Sequence, residues 1–160
     1  MNEPSEKVRE KIERQIYRGW EPHFKKIALF PHARETLDAF RKEGIKMGLL
    51  SDFPPETKLE NLKIRGYWET VLCSELIGRL KPDPVPFLEL ASKMGSAPEC
   101  MLYVGNSVPY DVEGAHNAGM KTALITPRWK KQPGKFPGSF PRIADFVFHD
   151  YRQLRDYVLS

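Results

Sequence analysis

The sequence predicts an α/β fold in three layers, with a mostly parallel sheet flanked by helices. Short apolar runs of strand length alternate with helical patterns along the chain, as βαβ units require. Polar residues directly follow two of these runs, at Ser51 and Asp52 and again at Asn106, and parallel sheets place ligand sites beyond the carboxyl ends of strands. Gly44 and Gly119 each follow a helical pattern and end it, and Gly119 is expected to form a left-handed cap. Together these observations predict a Rossmann-like arrangement.

Each element is placed by its apolar spacing and its stop signals. Val8, Ile12 and Ile16 form one stripe of a first helix, and prolines after Asp52 end the first strand. Asp83 precedes a proline that begins a later helix. In chain order the predicted elements are helices over 5–18 and 32–43, a strand over 45–50, a helix over 58–64, a strand over 70–73, a helix reaching 94, a strand over 101–104, a helix ending before 119, strands over 122–125 and 146–148, and a helix over 151–159.

Composition favours one globular domain and excludes a disordered or membrane-embedded chain. The 160 residues are 41% hydrophobic and 29% charged, enough for a core of ordinary size. The charged amino terminus lacks an apolar run and a small-residue cleavage site, so no secretory signal is predicted and the expected compartment is the cytoplasm. Cys73 and Cys100 lie in or beside apolar runs, which predicts buried thiols and leaves a disulfide open.

The basic residues are concentrated near the carboxyl end. The formal net charge is +4, and residues 127–142 contain five basic side chains, aromatic residues between them and no acid. Such a segment could contact nucleic acid. Because it is rich in Pro and Gly, a solvated surface loop is the preferred interpretation.

The most informative segment is 101–120, MLYVGNSVPYDVEGAHNAGM. An apolar strand runs into Gly105, which permits a sharp turn. Asn106, Ser107 and Asp111 then place oxygen ligands beyond the strand, near the start of a helix of small residues. Oxygens at a strand end suit a hard cation, and a helix start suits a phosphate.

Four segments in fixed order resemble the haloacid dehalogenase superfamily, specifically its phosphatase-like members with a helical cap. They are FPHARETLDAFRKEGIKMGLLSD, SELIGRLKPDPVPF, YVGNSVPYDVEGAHNAGM and ADFVFHDYRQLRDYV, and the match runs from about residue 30 to 157. The resemblance implies that residues 1–24 are the remnant of the cap. It implies that residues 25–160 are the α/β core.

The resemblance also implies roles for individual residues. Ser51 resembles the family's hydroxyl that hydrogen-bonds a phosphoryl oxygen, and Asp52 joins it in the phosphate-binding set. Lys81 resembles the lysine that offsets the negative charge of nucleophile and phosphate. Asp111, with Asn106, is expected to hold Mg²⁺. The implied reaction is phosphoryl transfer from a small phosphomonoester to an aspartate, followed by hydrolysis of the acyl phosphate; dehalogenation fits the motifs less well.

Two departures from the family pattern change the expectation. Asn106 stands where the family usually has an aspartate, so the metal site has one less negative charge. No Asp-x-Asp nucleophile motif occurs in the 160 residues, and the family carries that motif on a central strand between the strands that end at Ser51 and Val104. We therefore expect two unpaired strand edges, an inactive isolated chain, and completion by an upstream segment, a second chain or a partner subunit. Residues 26–30, KIALF, are the only spare strand-like run.

Three other interpretations stay open. Cys73 and Arg79 have the Cys-x5-Arg spacing of thiolate phosphatases, but that loop favours several glycines, and residues 74–77 read as a strand end passing into a turn. A degenerate member that binds phosphate or a partner without turnover also fits the missing motif. Nucleic-acid binding through residues 127–142 would depend strongly on salt. The four histidines show no paired metal-ligand spacing and receive no catalytic role.

Overall fold

The computed structural model describes residues 27–126 and 144–160. The predicted helix over 5–18, the cap remnant over 1–24 and the basic segment over 127–142 therefore lie outside the described residues. None of the helices within 27–126 and 144–160 has the length and apolar character needed to cross a membrane.

Strands and helices alternate along the described chain, as predicted. The strands are β1 (Gly48–Ser51), β2 (Thr70–Cys73), β3 (Leu102–Gly105), β4 (Lys121–Ile125) and β5 (Phe146–Phe148). The helices are α1 (Ala33–Lys42), α2 (Glu56–Asn61), α3 (Ser74–Ile77), α4 (Val85–Lys93), α5 (Glu113–Asn117) and α6 (Tyr151–Leu159), with a π-helical turn at Val108–Val112 and 3₁₀ turns at Arg65–Tyr67 and Pro98–Cys100.

The strands form two parallel sheets. One pairs β1 with β2, from Gly48 opposite Thr70 to Ser51 opposite Cys73. The other has the order β3-β4-β5, with Leu102 opposite Lys121. Within the described residues, β1 and β3 therefore each have one edge without a strand partner.

Two apolar clusters cover the two faces of the sheets, so the molecule has three layers. Phe87, Leu90 and Met94 of α4 pack with residues of β1 and α5 on one face. Phe40 of α1 and Leu154 of α6 pack against β4 and β5 on the other. The predicted α/β class with parallel strands between helices is confirmed.

Several predicted boundaries were accurate, and others moved for local reasons. The strand over 70–73, the strand over 146–148 and the helix over 151–159 have the predicted bounds. The first strand begins later than predicted because the Ile45 N–H donates to the Phe40 carbonyl at the end of α1. Helix α2 starts and ends earlier than predicted, and Lys63 beyond it is left-handed, with φ 53°.

Two predictions were wrong, those for residues 74–77 and for the burial of Cys100, and the spare strand-like run KIALF forms no strand over its described residues. Residues 74–77 form a helix, because the Glu75 N–H donates to the Asp52 carbonyl and left-handed Gly78 follows. Residues 27–30 form no strand; Phe30 instead lies beside Tyr151, with ring centroids 5.9 Å apart. Cys100 is exposed because it ends a 3₁₀ turn before β3, and both cysteines are free thiols.

Candidate active site

The candidate site is centred on a buried ion pair between Lys81 and Asp111. The Lys81 Nζ lies 2.7 Å from the Asp111 Oδ1, and the two side chains are only 12% and 8% exposed. Lys81 follows α3 and Asp111 lies in the π-helical turn after β3. Such turns occur often at functional sites, and the structure brings together two residues predicted from separate motifs.

The loop after β3 fixes the Asp111 carboxylate. Its Oδ2 accepts hydrogen bonds from the backbone N–H groups of Asn106 and Ser107, each at 3.0 Å. Gly105 makes this approach possible: a Cβ there would overlap the Asp111 Cβ and lie 2.6 Å from its Cγ. The carboxylate is thus held rigidly at the carboxyl end of β3.

Asp52 joins the end of β1 to the same lysine. Its Oδ1 accepts a hydrogen bond from the Lys81 backbone N–H at 3.1 Å, and its Oδ2 lies 3.9 Å from the Lys81 Nζ. In this structure the Asp52 side chain therefore orients Lys81. The backbone of Asp52 also accepts hydrogen bonds from Glu75 and from the Cys73 thiol.

Ser51 is the last residue of β1, next to Asp52. Its hydroxyl donates to the Phe53 carbonyl oxygen at 2.6 Å. To donate to a phosphoryl oxygen instead, the hydroxyl must rotate away from this turn. Its phosphate-binding role stays a prediction.

The predicted metal ligands differ in their surroundings. The Asn106 side chain is exposed and has no hydrogen-bond partner within 27–126 and 144–160, so its amide oxygen is accessible. The Asp111 Oδ1 contacts Lys81 and retains a lone pair. No cluster of three His, Cys, Asp or Glu side chains suited to a metal occurs among the described residues. Asp111 and Asn106 therefore fit one side of a Mg²⁺ coordination shell, and further oxygens must complete it.

Tyr103 is a site residue that sequence reasoning missed. Its hydroxyl oxygen lies 3.5 Å from the Lys81 Nζ, and its ring packs edge-on against Phe87 with centroids 4.8 Å apart. Burial raises the pKa of Tyr103, and the negative charges of Asp111 and Asp52 raise it further, so the phenol stays neutral. The sequence signal that could have identified Tyr103 was its position on the predicted strand, two residues before Gly105.

The charge balance of the site favours a cation. Two carboxylates, Asp52 and Asp111, surround one ammonium group, that of Lys81. A phosphate dianion entering alone would meet excess negative charge at short range. A bound divalent cation would reverse that balance.

The structure does not support a thiolate phosphatase loop. Cys73 is buried and its thiol lies 3.6 Å from the Asp52 carbonyl oxygen. Arg79 is exposed and pairs with Asp83, with the Nη1 and Oδ2 3.2 Å apart. Gly78 is the only glycine between Cys73 and Arg79, so the backbone lacks the flexibility such a loop needs.

Among the described histidines, none contacts the site's ion pair. His32 bonds to Asp150, at 3.0 Å, and His149 bonds to Thr126, at 2.8 Å. Both histidines therefore have hydrogen-bond partners away from Lys81 and Asp111.

Known proteins resemble this chain in sequence and fold. The model of the haloacid dehalogenase-like hydrolase family matches residues 2–125. The chain is 34% identical to the glyceraldehyde 3-phosphate phosphatase of Methanopyrus kandleri over 136 residues, which are 81% of this chain and 56% of that protein. It is 37% identical to the phosphoglycolate phosphatase of Escherichia coli over 101 residues, 61% of this chain and 40% of that protein. The chain thus spans about half the length of these relatives.

A solved structure agrees with the sequence comparisons. The HAD phosphatase from Thermococcus onnurineus superposes with a TM-score of 0.74 at 25% identity, covering 87% of this chain and 62% of that one. The two structures therefore share the α/β fold. The chain belongs to the haloacid dehalogenase-like hydrolase family, among its phosphatase-like members.

Proposed function

We propose that this chain forms the lysine- and acid-bearing side of a Mg²⁺-dependent phosphomonoester hydrolase. The observation that carries the proposal is the buried Lys81–Asp111 contact of 2.7 Å at the carboxyl ends of the strands. A buried cation positioned beside oxygen ligands is suited to stabilise charge on a transferring phosphoryl group.

The site residues of this chain have separate roles in phosphoryl transfer. Lys81 offsets charge on the phosphoryl oxygens. Asp52 accepts a hydrogen bond from the Lys81 backbone N–H, and the Tyr103 hydroxyl contacts the ammonium group. The Ser51 hydroxyl rotates from the Phe53 carbonyl and donates to a phosphoryl oxygen. Asp111 and Asn106 supply ligands for Mg²⁺, which when bound adds the positive charge that two carboxylates require.

The nucleophile in this proposal is an aspartate from outside the 160 residues, since they contain no Asp-x-Asp motif. Its carboxylate oxygen forms a bond to phosphorus while the ester P–O bond breaks, and the alcohol leaves after taking a proton from water. Water then attacks the acyl phosphate, which releases inorganic phosphate and restores the carboxylate. The 160 residues alone are therefore expected to be inactive.

The substrate class is a small phosphorylated metabolite. Relatives that are 34% and 37% identical are named for glyceraldehyde 3-phosphate and phosphoglycolate, which makes these two compounds the first to test. We also place the protein in the cytoplasm, a proposal supported by its two free cysteines.

The test measures phosphate release from p-nitrophenyl phosphate in the presence of MgCl₂. The protein assayed is the 160-residue chain fused to a strand that carries the aspartate nucleophile, which we call the acid-bearing strand. Lys81→Ala should lower kcat by about 10²–10³-fold, the scale of a lost charge-stabilising group. Lys93→Ala is the matched control, because Lys93 pairs with Glu89 on the exposed surface and should leave kcat unchanged. Equal activity of the two variants would contradict the proposed role of Lys81.

Asn106 favours a second candidate, a protein that binds phosphate without turnover. An amide at this position weakens metal binding relative to a carboxylate. In the same assay this candidate predicts no phosphate release even when the acid-bearing strand is present, together with saturable binding of inorganic phosphate. Asn106→Asp would then be expected to raise Mg²⁺ affinity.

A further inference from the structure

The phenol ring of Tyr103 is held in a fixed position beside the Lys81 ammonium group. Tyr103 lies on β3, and its ring packs edge-on against Phe87 of α4, with the ring centroids 4.8 Å apart. Phe87 is fully buried and packs so closely against Gly114 of α5 that the glycine has no room for a Cβ. Because interiors packed this closely leave side chains little freedom, the Tyr103 hydroxyl occupies a defined point in the site.

The Lys81 ammonium group is the flexible partner in this contact. It ends a four-carbon stem and carries three N–H donors. The Asp111 Oδ1 accepts one hydrogen bond at 2.7 Å, and the Tyr103 hydroxyl accepts a second, longer one at 3.5 Å. The third N–H has no hydrogen-bond partner in residues 27–126 and 144–160. It is therefore the donor that Lys81 can offer to a reacting group.

Asp52 competes for this third N–H. Its Oδ2 lies 3.9 Å from the Lys81 Nζ, which is beyond hydrogen-bond distance but close enough for charge attraction. The Asp52 Oδ1 accepts a hydrogen bond from the Lys81 backbone N–H, which keeps the carboxylate beside the lysine. A small movement of the ammonium group would thus give Lys81 a second carboxylate partner and remove its remaining free donor.

The phenol restrains Lys81 without adding a charge. Burial raises the pKa of Tyr103, and the negative charges of Asp111 and Asp52 raise it further, so the hydroxyl is neutral at physiological pH. A neutral oxygen accepts one N–H of Lys81 and leaves the positive charge of the ammonium group available. A third carboxylate at this point would instead cancel more of that charge.

We propose that Tyr103 is a positioning residue for Lys81. Its hydroxyl limits the approach of the ammonium group to Asp52, so that one N–H stays available to the transferring phosphoryl group. The role in phosphoryl transfer rests on the proposed function, whereas the competition between Tyr103 and Asp52 for the ammonium group does not.

The catalytic test uses the fusion of the chain to the acid-bearing strand, with p-nitrophenyl phosphate and MgCl₂. Tyr103→Phe keeps the ring and removes the hydroxyl, and we expect kcat to fall about tenfold, the scale of one hydrogen bond to a charged group. Tyr151→Phe is the matched control, because its ring also packs edge-on against a buried phenylalanine, Phe148, in the cluster on the other face of the sheet. It should leave kcat unchanged. Equal losses in the two variants would overturn the proposal.

A double-mutant cycle separates positioning from packing. Asp52→Asn keeps an oxygen that can accept from the Lys81 backbone N–H and removes the carboxylate charge that attracts the ammonium group. In this background we expect Tyr103→Phe to change kcat by less than about twofold, because the two residues are coupled through Lys81. If Tyr103 contributes only packing, its substitution lowers kcat by the same factor with Asp52 and with Asn at this position. That result would overturn the proposal.

A measurement without catalysis tests the competition itself. NMR spectra of the 160-residue chain with isotopically labelled aspartate carboxyl groups report on Asp52, whose signal is assigned by its loss in Asp52→Asn. Tyr103→Phe should shift this signal because the ammonium group moves toward the carboxylate, and Tyr151→Phe should not. An unchanged Asp52 signal in Tyr103→Phe would overturn the proposal. If the chain alone is unfolded, the same spectra are recorded on the fusion.

The two readouts distinguish the failure of this proposal from the failure of the proposed function. A fusion that releases no phosphate, combined with a shifted Asp52 signal in Tyr103→Phe, would contradict the phosphatase activity and support the restraint of Lys81 by Tyr103. An active fusion whose kcat is insensitive to Tyr103→Phe would support the activity and overturn the role of Tyr103.

Discussion

At the residue scale, Lys81 is the group on which the site depends. Its ammonium contacts Asp111 at 2.7 Å and Asp52 at 3.9 Å, and its backbone N–H donates to Asp52. The resemblance to the family implied that Lys81 and Asp111 would act in one site. It did not predict that the Asp52 side chain would orient the lysine, because that contact joins residues 29 positions apart through the packing of two strand ends.

Removing the lysine should destabilise the chain as well as inactivate it. Lys81→Met leaves Asp111 buried without its cation, so the free energy of unfolding should fall by about 3–5 kcal/mol. Urea unfolding measures the change. The control is Lys46→Met, because the partner of Lys46, Glu69, is half exposed. Losing this pair should lower the free energy of unfolding by about 0–1 kcal/mol. Similar losses in both variants would show that the Lys81 pair is not effectively buried.

Gly105 should be intolerant of a side chain. A Cβ there overlaps Asp111, so Gly105→Ala should lower stability by about 1–3 kcal/mol through overpacking. Gly66→Ala is the comparison, since nothing lies within 4 Å of its Cβ position. If the two variants melt at the same temperature, the close approach of Asp111 to the turn is contradicted.

At the element scale, the accuracy of prediction followed the length and clarity of the local pattern. Helix α6 was predicted with its observed bounds because Leu154 and Val158 lie on one face at helical spacing. Helix α3 was missed because four residues are too few to show a period. The π-helical turn at Val108–Val112 was not predictable either, since it depends on Asp111 folding back onto the strand end.

The start of α6 should make stability depend on acid pH. Hydrogen bonds from the Arg152 side chain and its backbone N–H lower the pKa of Asp150 to about 2. Because the folded pKa lies below the unfolded value of about 4, the stabilisation is present above pH 4 and is lost as the pH falls toward 2. The Asp150→Asn variant keeps a good cap. Its free energy of unfolding, measured by urea titration at each pH, should depend less steeply on pH between about 2 and 4. An unchanged profile would contradict this assignment.

At the scale of the whole molecule, the α/β class could be predicted, and so could two strand edges that have no partner among the described residues. Alternating strands and helices fixed the parallel α/β class, and the resemblance indicated an unpaired edge beside Ser51 and another beside Val104. The structure adds the dimensions and chemistry of the space between them, with Trp68 and apolar residues of three helices around it. These features depend on contacts among distant segments, which local patterns do not encode.

The central claim is that Lys81 and Asp111 form one part of a phosphoryl-transfer site whose nucleophile comes from outside these 160 residues. The most direct test measures phosphate release from p-nitrophenyl phosphate in the presence of MgCl₂. It compares the 160-residue chain, with its mass verified and no other segment added, with its Lys81→Ala variant. The account predicts background rates for both, and a Lys81-dependent rate once the acid-bearing strand is supplied. Turnover by the chain alone that survives Lys81→Ala would contradict it.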